Sequence, residues 1–454
     1  MNQQSATQTR KSDAPWTDIV APTILAELKL ENLASAPKSV IEQTYDLAVV
    51  GGGIAGLSTA RAAAKCGARV ILLERAGAVA AGASGKNAGI LGAGVNMPLV
   101  SMPKGHPAMG MWRSTSELLP RLYSLAADKK NNLIAKNVGA LSLAKSATAC
   151  KRLHQEAKAR NAAGLNAEII SAAKVADLTS DYLDLRGVQA ALYLPDEGRI
   201  NPLTLLAFIA REAKHYGGTL FGGAEITARQ SIPRKSAPFQ NGSSTDNVSS
   251  TKNVSSGDNV SSTKNVSSND NVSSSDNVSS SENFSSSDNI WKLSTACGVD
   301  VYASSLVYAT GPVINANRRI YAVSFRINLP ESFPLFWDSN PFTYYDYRAG
   351  EGYITVTGGR YGTAGQTAND AKFHNSMIAA AKSWMPALRT MEPSHMWAVD
   401  LEVDADMMPN IVTLNESPIA LSIQGLGALG VLPGMVLGEE AGSKLAVIAG
   451  NTAD

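Results

Sequence analysis

With 454 residues and 40 lysines and arginines against 39 aspartates and glutamates, the chain is too long for one hydrophobic core, and its net charge of +1 provides no global field to hold nucleic acid or an anionic membrane. Its three cysteines, Cys66, Cys150 and Cys297, are scattered without a CxxC pair, which argues against a disulfide framework and against a metal site. The polar start "MNQQSATQTRKSDAPWTD" lacks the apolar core of a signal peptide, and no stretch reaches the roughly 18 apolar residues of a membrane span, so a soluble, cytoplasmic enzyme without a transmembrane segment is expected.

Residues 1–44 read as an extension, mobile at its polar start, in which "DIVAPTILAELKLENL" spaces its apolar residues like a short helix docking on the main body. From Tyr45 to Glu74 the pattern is strand, tight turn, helix, strand. Gly51, Gly53 and Gly56 close the apolar strand Leu47 to Val50 as a GxGxxG turn, an alanine-rich helix follows from about Ala55 to Cys66, and "RVILLE" supplies a second buried strand. In this context Gly51 permits the turn, Gly53 leaves bare backbone for a pyrophosphate, and Gly56 lets the helix pack closely on the sheet, with free amides at the helix start. Glu74, 18 residues past Gly56, takes both hydroxyls of a ribose and repels a 2′-phosphate, which disfavours NADP.

After about residue 110, helical patterns such as "STSELLPRLYSLAADKK" alternate with β-like runs such as "GALSLAK" and "AALYLPD", giving a mixed α and β fold. From about 243 to 290 the chain repeats units such as "SSTDNV" and "SSTKNV" with a period of six. One apolar residue per unit is too few for a stacked core, so a disordered insertion is expected. Its flanks, "GGTLFGGAEITARQ" and "IWKLSTACGVDVYASSLVYATG", look like successive strands of one sheet, so the repeat lengthens a hairpin loop at little cost in closure entropy.

Directly after Glu74, where a nicotinamide domain continues with a helix and a strand, the chain offers the small-residue run "RAGAVAAGASGKNAGILGAG". Here the sequence resembles the D-amino-acid oxidase superfamily of FAD-dependent oxidoreductases, which includes glycine oxidase, sarcosine oxidase, D-amino-acid dehydrogenase and γ-glutamylputrescine oxidase. "ASGKNAG" is similar to the family segment along the flavin, "PDEGRINPLTLLAFIAREAKHYGGTLF" to a later family pattern, "VYATG" to a strand end that meets FAD, and "QGLGALGVLPGMVLGEEAGSKLA" to the closing glycine loop and helix. The resemblance implies FAD as cofactor, held by Gly51, Gly53, Ile54, Ala55, Gly56, Glu74, Arg75, Ser84, Gly85, Lys86, Asn87, Ala88, Gly89, Ile226, Ala309, Thr310, Gly311, Gly427, Ala428, Leu429, Gly430, Val431 and Leu432. It also implies a Rossmann-type FAD-binding domain (45–110, 196–312 and 406–454) interleaved with a mostly antiparallel α+β substrate domain (111–195 and 313–405).

Family membership implies oxidation of the C–N bond of a small amine or amino acid to an imine by hydride transfer to flavin N5, with oxygen or another electron acceptor, and with no dedicated acid or base. In "WAVDLEVDADMMPNIV" the residues Trp397, Asp406, Pro409 and Ile411 keep the family register, but Leu401 stands where relatives carry a carboxylate-binding arginine; Glu402 and Asp404 either favour a cationic amine or face solvent. In "PFTYYDYRAGEGYITVTGGRYG" the residues Tyr345, Tyr347, Arg348 and Arg360 match the family stretch that covers the substrate face of the flavin, and Tyr345 and Tyr347 share one face by alternation. The missing arginine leaves a second reading, an accessory flavoprotein that acts through a protein partner.

Overall fold

A computed structural model describes residues 11–238, 288–311, 316–339, 344–403 and 408–450, apart from 96, 104 and 107; among these residues no helix is long and apolar enough to cross a membrane. Thr44–Val50 pairs in parallel with Val70–Leu73 on one side and with Asp300–Tyr308 on the other. A central parallel strand is covered on both faces, which is why its second half, Leu47 to Val50, is continuously apolar rather than alternating. Thr219–Gly222 and then Glu31–Asn32 extend the sheet in parallel beyond Val70–Leu73. At the other end Asn289–Thr295 and Ile226–Pro233 pair antiparallel, with Pro233 opposite Asn289. The flanks of the hexapeptide repeat are thus neighbouring strands, as their patterns require. The second strand starts at Asn289, inside the segment read as repeat, and residues 243–287 lie outside the described residues.

The second sheet has eight strands in the order His395–Leu401, Arg318–Arg326, Tyr353–Thr363, Tyr345–Gly350, Leu335–Asp338, Ala140–Ala144, Ala190–Leu194, Glu168–Ser171. It is antiparallel except where Leu335–Asp338 runs parallel to Ala140–Ala144. Tyr321, Val323, Phe325, Tyr345, Tyr347, Ile354 and Val356 point to its rear, where Met377, Ala381 and Trp384 of the helix Asp370–Trp384 complete a separate core. Ala322 and Trp397 point forward and join the core of the first unit. The mixed α/β architecture of two interleaved units is the one expected.

Between the units runs the N-terminal segment. The stretch read as one helix forms two, Trp16–Ile19 and Pro22–Glu27, because Val20 is extended and Pro22 opens the second as its first residue. Residues 1–10 lie outside the described residues.

The nucleotide helix Ile54–Lys65 and the C-terminal helix Val431–Gly450 approach backbone to backbone. Gly438 and Gly442, one turn apart, make this possible: a Cβ on Gly438 would lie 2.5 Å from the carbonyl of Ala55, and one on Gly442 2.3 Å from that of Thr59. Gly438→Val is therefore expected to lower stability by about 3 kcal/mol, the upper end for overpacking a core. Chemical denaturation checks this as a lower midpoint at an unchanged slope.

Candidate active site

The turn after Thr44–Val50 is built for close approach. Gly51 has φ +111°, and a Cβ there would lie 2.5 Å from the carbonyl of Ala309; a Cβ on Gly56 would meet the carbonyl of Gly51. Ala309 is fixed by its amide on the Val50 carbonyl at 2.8 Å, so the strand ends at Val50 and Tyr308 stay side by side, with Thr310 and Gly311 next in the chain. Ile54, Ala55 and Gly56 open the nucleotide helix; the amides of Ala55 and Gly56, with the positive end of the helix dipole, are left for an anion. Glu74 accepts from the amide of Gly52 through Oε2 (2.6 Å) and from that of Ala76 through Oε1 (2.9 Å). A carboxylate accepts about four hydrogen bonds, so both oxygens keep capacity for a ribose diol. The Ala224 amide donates to the Glu74 carbonyl at 2.9 Å, which brings the start of Ile226–Pro233 beside the same end of the site, while Arg75 is exposed.

The loop 84–89 closes over this turn. Ser84 Oγ accepts from the Ile54 amide at 2.9 Å, and Asn87 braces the loop from within, donating to the Ser84 carbonyl (2.5 Å) and accepting from the Gly89 amide (2.8 Å). Two indoles hold it from outside: Trp397 donates to the Lys86 carbonyl and Trp16 to the Asn87 carbonyl, both at 2.9 Å. Gly85 and Gly89 each leave room for a facing carbonyl, of Ala80 and Ile200 respectively, and Ala88 is buried between them. Gly427, Ala428, Leu429 and Gly430 lead into the C-terminal helix, where Val431 meets Ile54, Ser84 and Asn87 around one small cavity and Leu432 is buried.

These residues fit FAD. The Ala55 and Gly56 amides at the helix start and the bare backbone at Gly53 suit a pyrophosphate, and Glu74 suits the ribose. The loop 84–89 and the start of the second helix bound the space beyond. Gly53 decides this point, since a Cβ there would stand 3.0 Å from Ser84 Oγ and fill the cradle.

The sheet residues separate by face. Tyr345 and Tyr347 do share one face, but it is the rear: both are buried in the core beneath the helix Asp370–Trp384, and Tyr347 stacks on Phe336 at 4.2 Å between centroids. That placement takes them off the wall facing the cofactor site. Arg348 points forward but is fully buried, paired with Glu351 at 2.6 Å, donating to the Ile200 carbonyl at 3.2 Å, with its guanidinium 4.8 Å from the Trp16 ring. Arg360 is exposed. Of the residues tied to the absent arginine, Leu401 is buried at a strand end, the Glu402 carbonyl accepts from the Gly427 amide, and Asp404 lies outside the described residues.

Strand register identifies the residues that do face the loop. Trp337, Asp346, Thr357, Ala322 and Trp397 lie opposite one another across five strands, and partners in a ladder project to the same face. Trp397 fixes which face, because its indole reaches Lys86. The next row, Arg348, Thr355, Ser324 and His395, is buried beneath Lys11 to Asp18: the Lys11 backbone pairs with Ser394 and Met396, and Asp18 faces His395 at 3.4 Å. On the open side Tyr344 is 43% exposed. Burial pushes the Asp346 carboxyl up to about 7, against the opposing effect of its bond to Tyr344. Behind it, Glu197 is paired with Arg160, which also pairs with Glu156 and lies over the Trp112 ring.

Sequence reasoning missed Trp16, Tyr344 and Asp346. A lone tryptophan in a polar leader, "DAPWTD", was the available signal for the first. For the others, the alternation that paired Tyr345 with Tyr347 equally sets Tyr344 and Asp346 on the opposite face.

Trp16→Phe keeps a ring beneath Arg348 and removes the donor to the Asn87 carbonyl. An unmet polar group costs about 1–3 kcal/mol, so the apoprotein is expected to melt lower and, with the loop less firmly held, FAD affinity to fall up to about tenfold, read as release of fluorescent flavin on dilution.

Residues 46–248 match the family model described as DAO, FAD dependent oxidoreductase. No curated protein matches the sequence itself. In fold the chain is similar to glycine oxidase from Bacillus cereus ATCC 14579 (TM-score 0.65, 16% identity, covering 89% of this chain and 98% of that one) and to L-proline dehydrogenase from P. horikoshii (0.64, 16%, 88% and 92%). It is also similar to L-alpha-glycerophosphate oxidase from Mycoplasma pneumoniae, determined with FAD bound (0.61, 13%, 89% and 95%). Residues 46–248, which hold the glycine turn and the loop 84–89, thus match the DAO family of FAD-dependent oxidoreductases, and the chain as a whole shares its fold with these solved structures.

Proposed function

We propose that this flavoprotein oxidises the C–N bond of a small amine or amino acid to an imine. The observation that carries the reading is the sheet row set against the flavin loop, in which the one charged side chain is the carboxylate of Asp346. FAD, held by the glycine turn, Glu74 and the loop 84–89, would supply the two-electron oxidation of the carbon that bears nitrogen. The chain's own residues bind, orient and exclude water. Trp337 and Trp397 close the two ends of the row, the sheet seals one side, and the amides at the start of Val431–Gly450 stabilise negative charge across the site.

Among the similar folds, two are named for amino acids and one for a phosphate ester. A wall carrying Asp346, with Glu197 behind it and uncharged Leu401 in place of the family's arginine, repels a phosphate and suits a cation. Anaerobic addition of primary and secondary amines and amino acids to the purified holoprotein is expected to bleach the yellow flavin band, and readmitted oxygen distinguishes an oxidase from an enzyme using another acceptor. Bleaching by glycerol phosphate, with none by any amine, overturns the assignment.

A further inference from the structure

Several buried or half-buried carboxylates among the described residues are neutralised by arginine. Glu156 and Glu197 share Arg160, Glu351 pairs with Arg348, and Asp370 and Asp400 share Arg319. Asp346 is the exception on the sheet face turned to the cofactor: among the described residues no lysine, arginine or histidine pairs with it, and its side chain is bonded to the Tyr344 hydroxyl. An unpaired carboxylate in such a place is costly and is kept where it has a ligand to meet.

The backbone makes room for it. Gly358, opposite Tyr345 on the neighbouring strand, has φ +92°, and a Cβ there would press to 3.3 Å from Asp346 Oδ2 and 3.0 Å from the Tyr344 carbonyl. The adjoining row is sealed by the N-terminal segment, whereas Tyr344, to which Asp346 is bonded, is 43% exposed. The groups that face it are Tyr344 on its own strand, Tyr361 on the next, Asp338 on the strand beyond, and Glu197 with its Arg160 partner; Tyr347 lies behind the sheet. None of these supplies a counter-ion to Asp346, and the two acids make the position more receptive to a cation.

We propose that Asp346 binds the ammonium group of the substrate and takes its proton, delivering the neutral amine for oxidation. This rests on the amine reading above. In the step, R–NH3+ and the Asp346 carboxylate become R–NH2 and the carboxylic acid; the N–H electron pair stays on nitrogen, the proton moves to Asp346 and leaves to solvent after turnover, and the two electrons of the later oxidation go to FAD. Tyr344 orients the carboxylate through its hydroxyl. A carboxyl held near 7 is suited to the role, since a base works best when its pKa lies near the working pH.

The test uses the FAD-loaded protein and the variants Asp346→Asn and Asp346→Glu. The first readout is binding of tert-butylammonium, which has no hydrogen on the carbon bearing nitrogen and cannot be oxidised, followed by calorimetry. Asp346→Asn is expected to weaken it about tenfold or more, the loss of one charge-assisted hydrogen bond, with partial recovery in Asp346→Glu. The second readout is kcat/KM against pH. The wild type requires Asp346 ionised, so it loses activity as pH falls through about 7. The Asn variant lacks that limb and instead gains activity up to the amine's own pKa, about 10.

Folding is checked by melting. A folded-state pKa raised from 3.8 to about 7 means that ionised Asp346 destabilises the fold progressively as pH rises through that window, so Asp346→Asn is expected to melt higher than wild type at pH above about 7 and equally at pH below about 4. Unchanged tert-butylammonium binding, or the same acid limb in the Asn variant, overturns the proposal. If no amine bleaches the wild-type flavin while tert-butylammonium still binds through Asp346, the oxidation reading falls and the ammonium site stands.

Discussion

Two indole hydrogen bonds set the geometry of this molecule. The carbonyls of Lys86 and Asn87, consecutive in the loop that closes the nucleotide turn, accept from Trp397 and Trp16, one from the eight-stranded sheet and one from the N-terminal segment. Neither unit determines alone how far the sheet stands from the cofactor; the loop is where both are tied. Because each indole is buried and has one donor, either bond lost leaves a carbonyl unmet in a confined place, so the two units hold one separation.

The N-terminal segment has a second consequence. It covers the row Arg348, Thr355, Ser324 and His395 and leaves the adjoining row free. Beneath it several polar groups find partners: Ser324 and Thr355 bond at 2.7 Å, Arg348 meets Glu351, and Lys11 meets Asp18 at 2.6 Å. On the uncovered row Asp346 has no such cation. Stability and function are thus separated by one strand step: neutralised charges lie under the strap, and an open charge lies beside it.

Much of the cofactor half was legible in the sequence because it is local. The GxGxxG turn, the helix after it and Glu74 lie within one stretch, and each glycine answers to a close contact, Gly51 and Gly56 with a backbone carbonyl and Gly53 with the Ser84 hydroxyl. The strands around the hexapeptide repeat were legible for the same reason, since their patterns pair once the insertion is set aside. The substrate half was not, because alternation says which residues share a face without saying which face is turned to the cofactor. Tyr345 and Tyr347 match the family stretch and alternate correctly, yet Phe336 and Trp384 draw them to the rear. Only Trp397, joined to Lys86 some 311 residues away in sequence, settles the direction.

That direction changes what the missing arginine means. With Leu401 in its place, Arg348 is an arginine of the family stretch over the flavin. Its guanidinium is instead committed to Glu351, Ile200 and the Trp16 ring, and Arg199 beside it is buried as well, its pKa lowered by desolvation and by Arg348. The basic groups on this side of the sheet therefore serve to anchor the strap, and an acidic group takes the position open to a ligand. The substitution at Leu401 and the orientation of Asp346 act in the same sense: the first removes attraction for an anion and the second adds attraction for a cation, and specificity needs both.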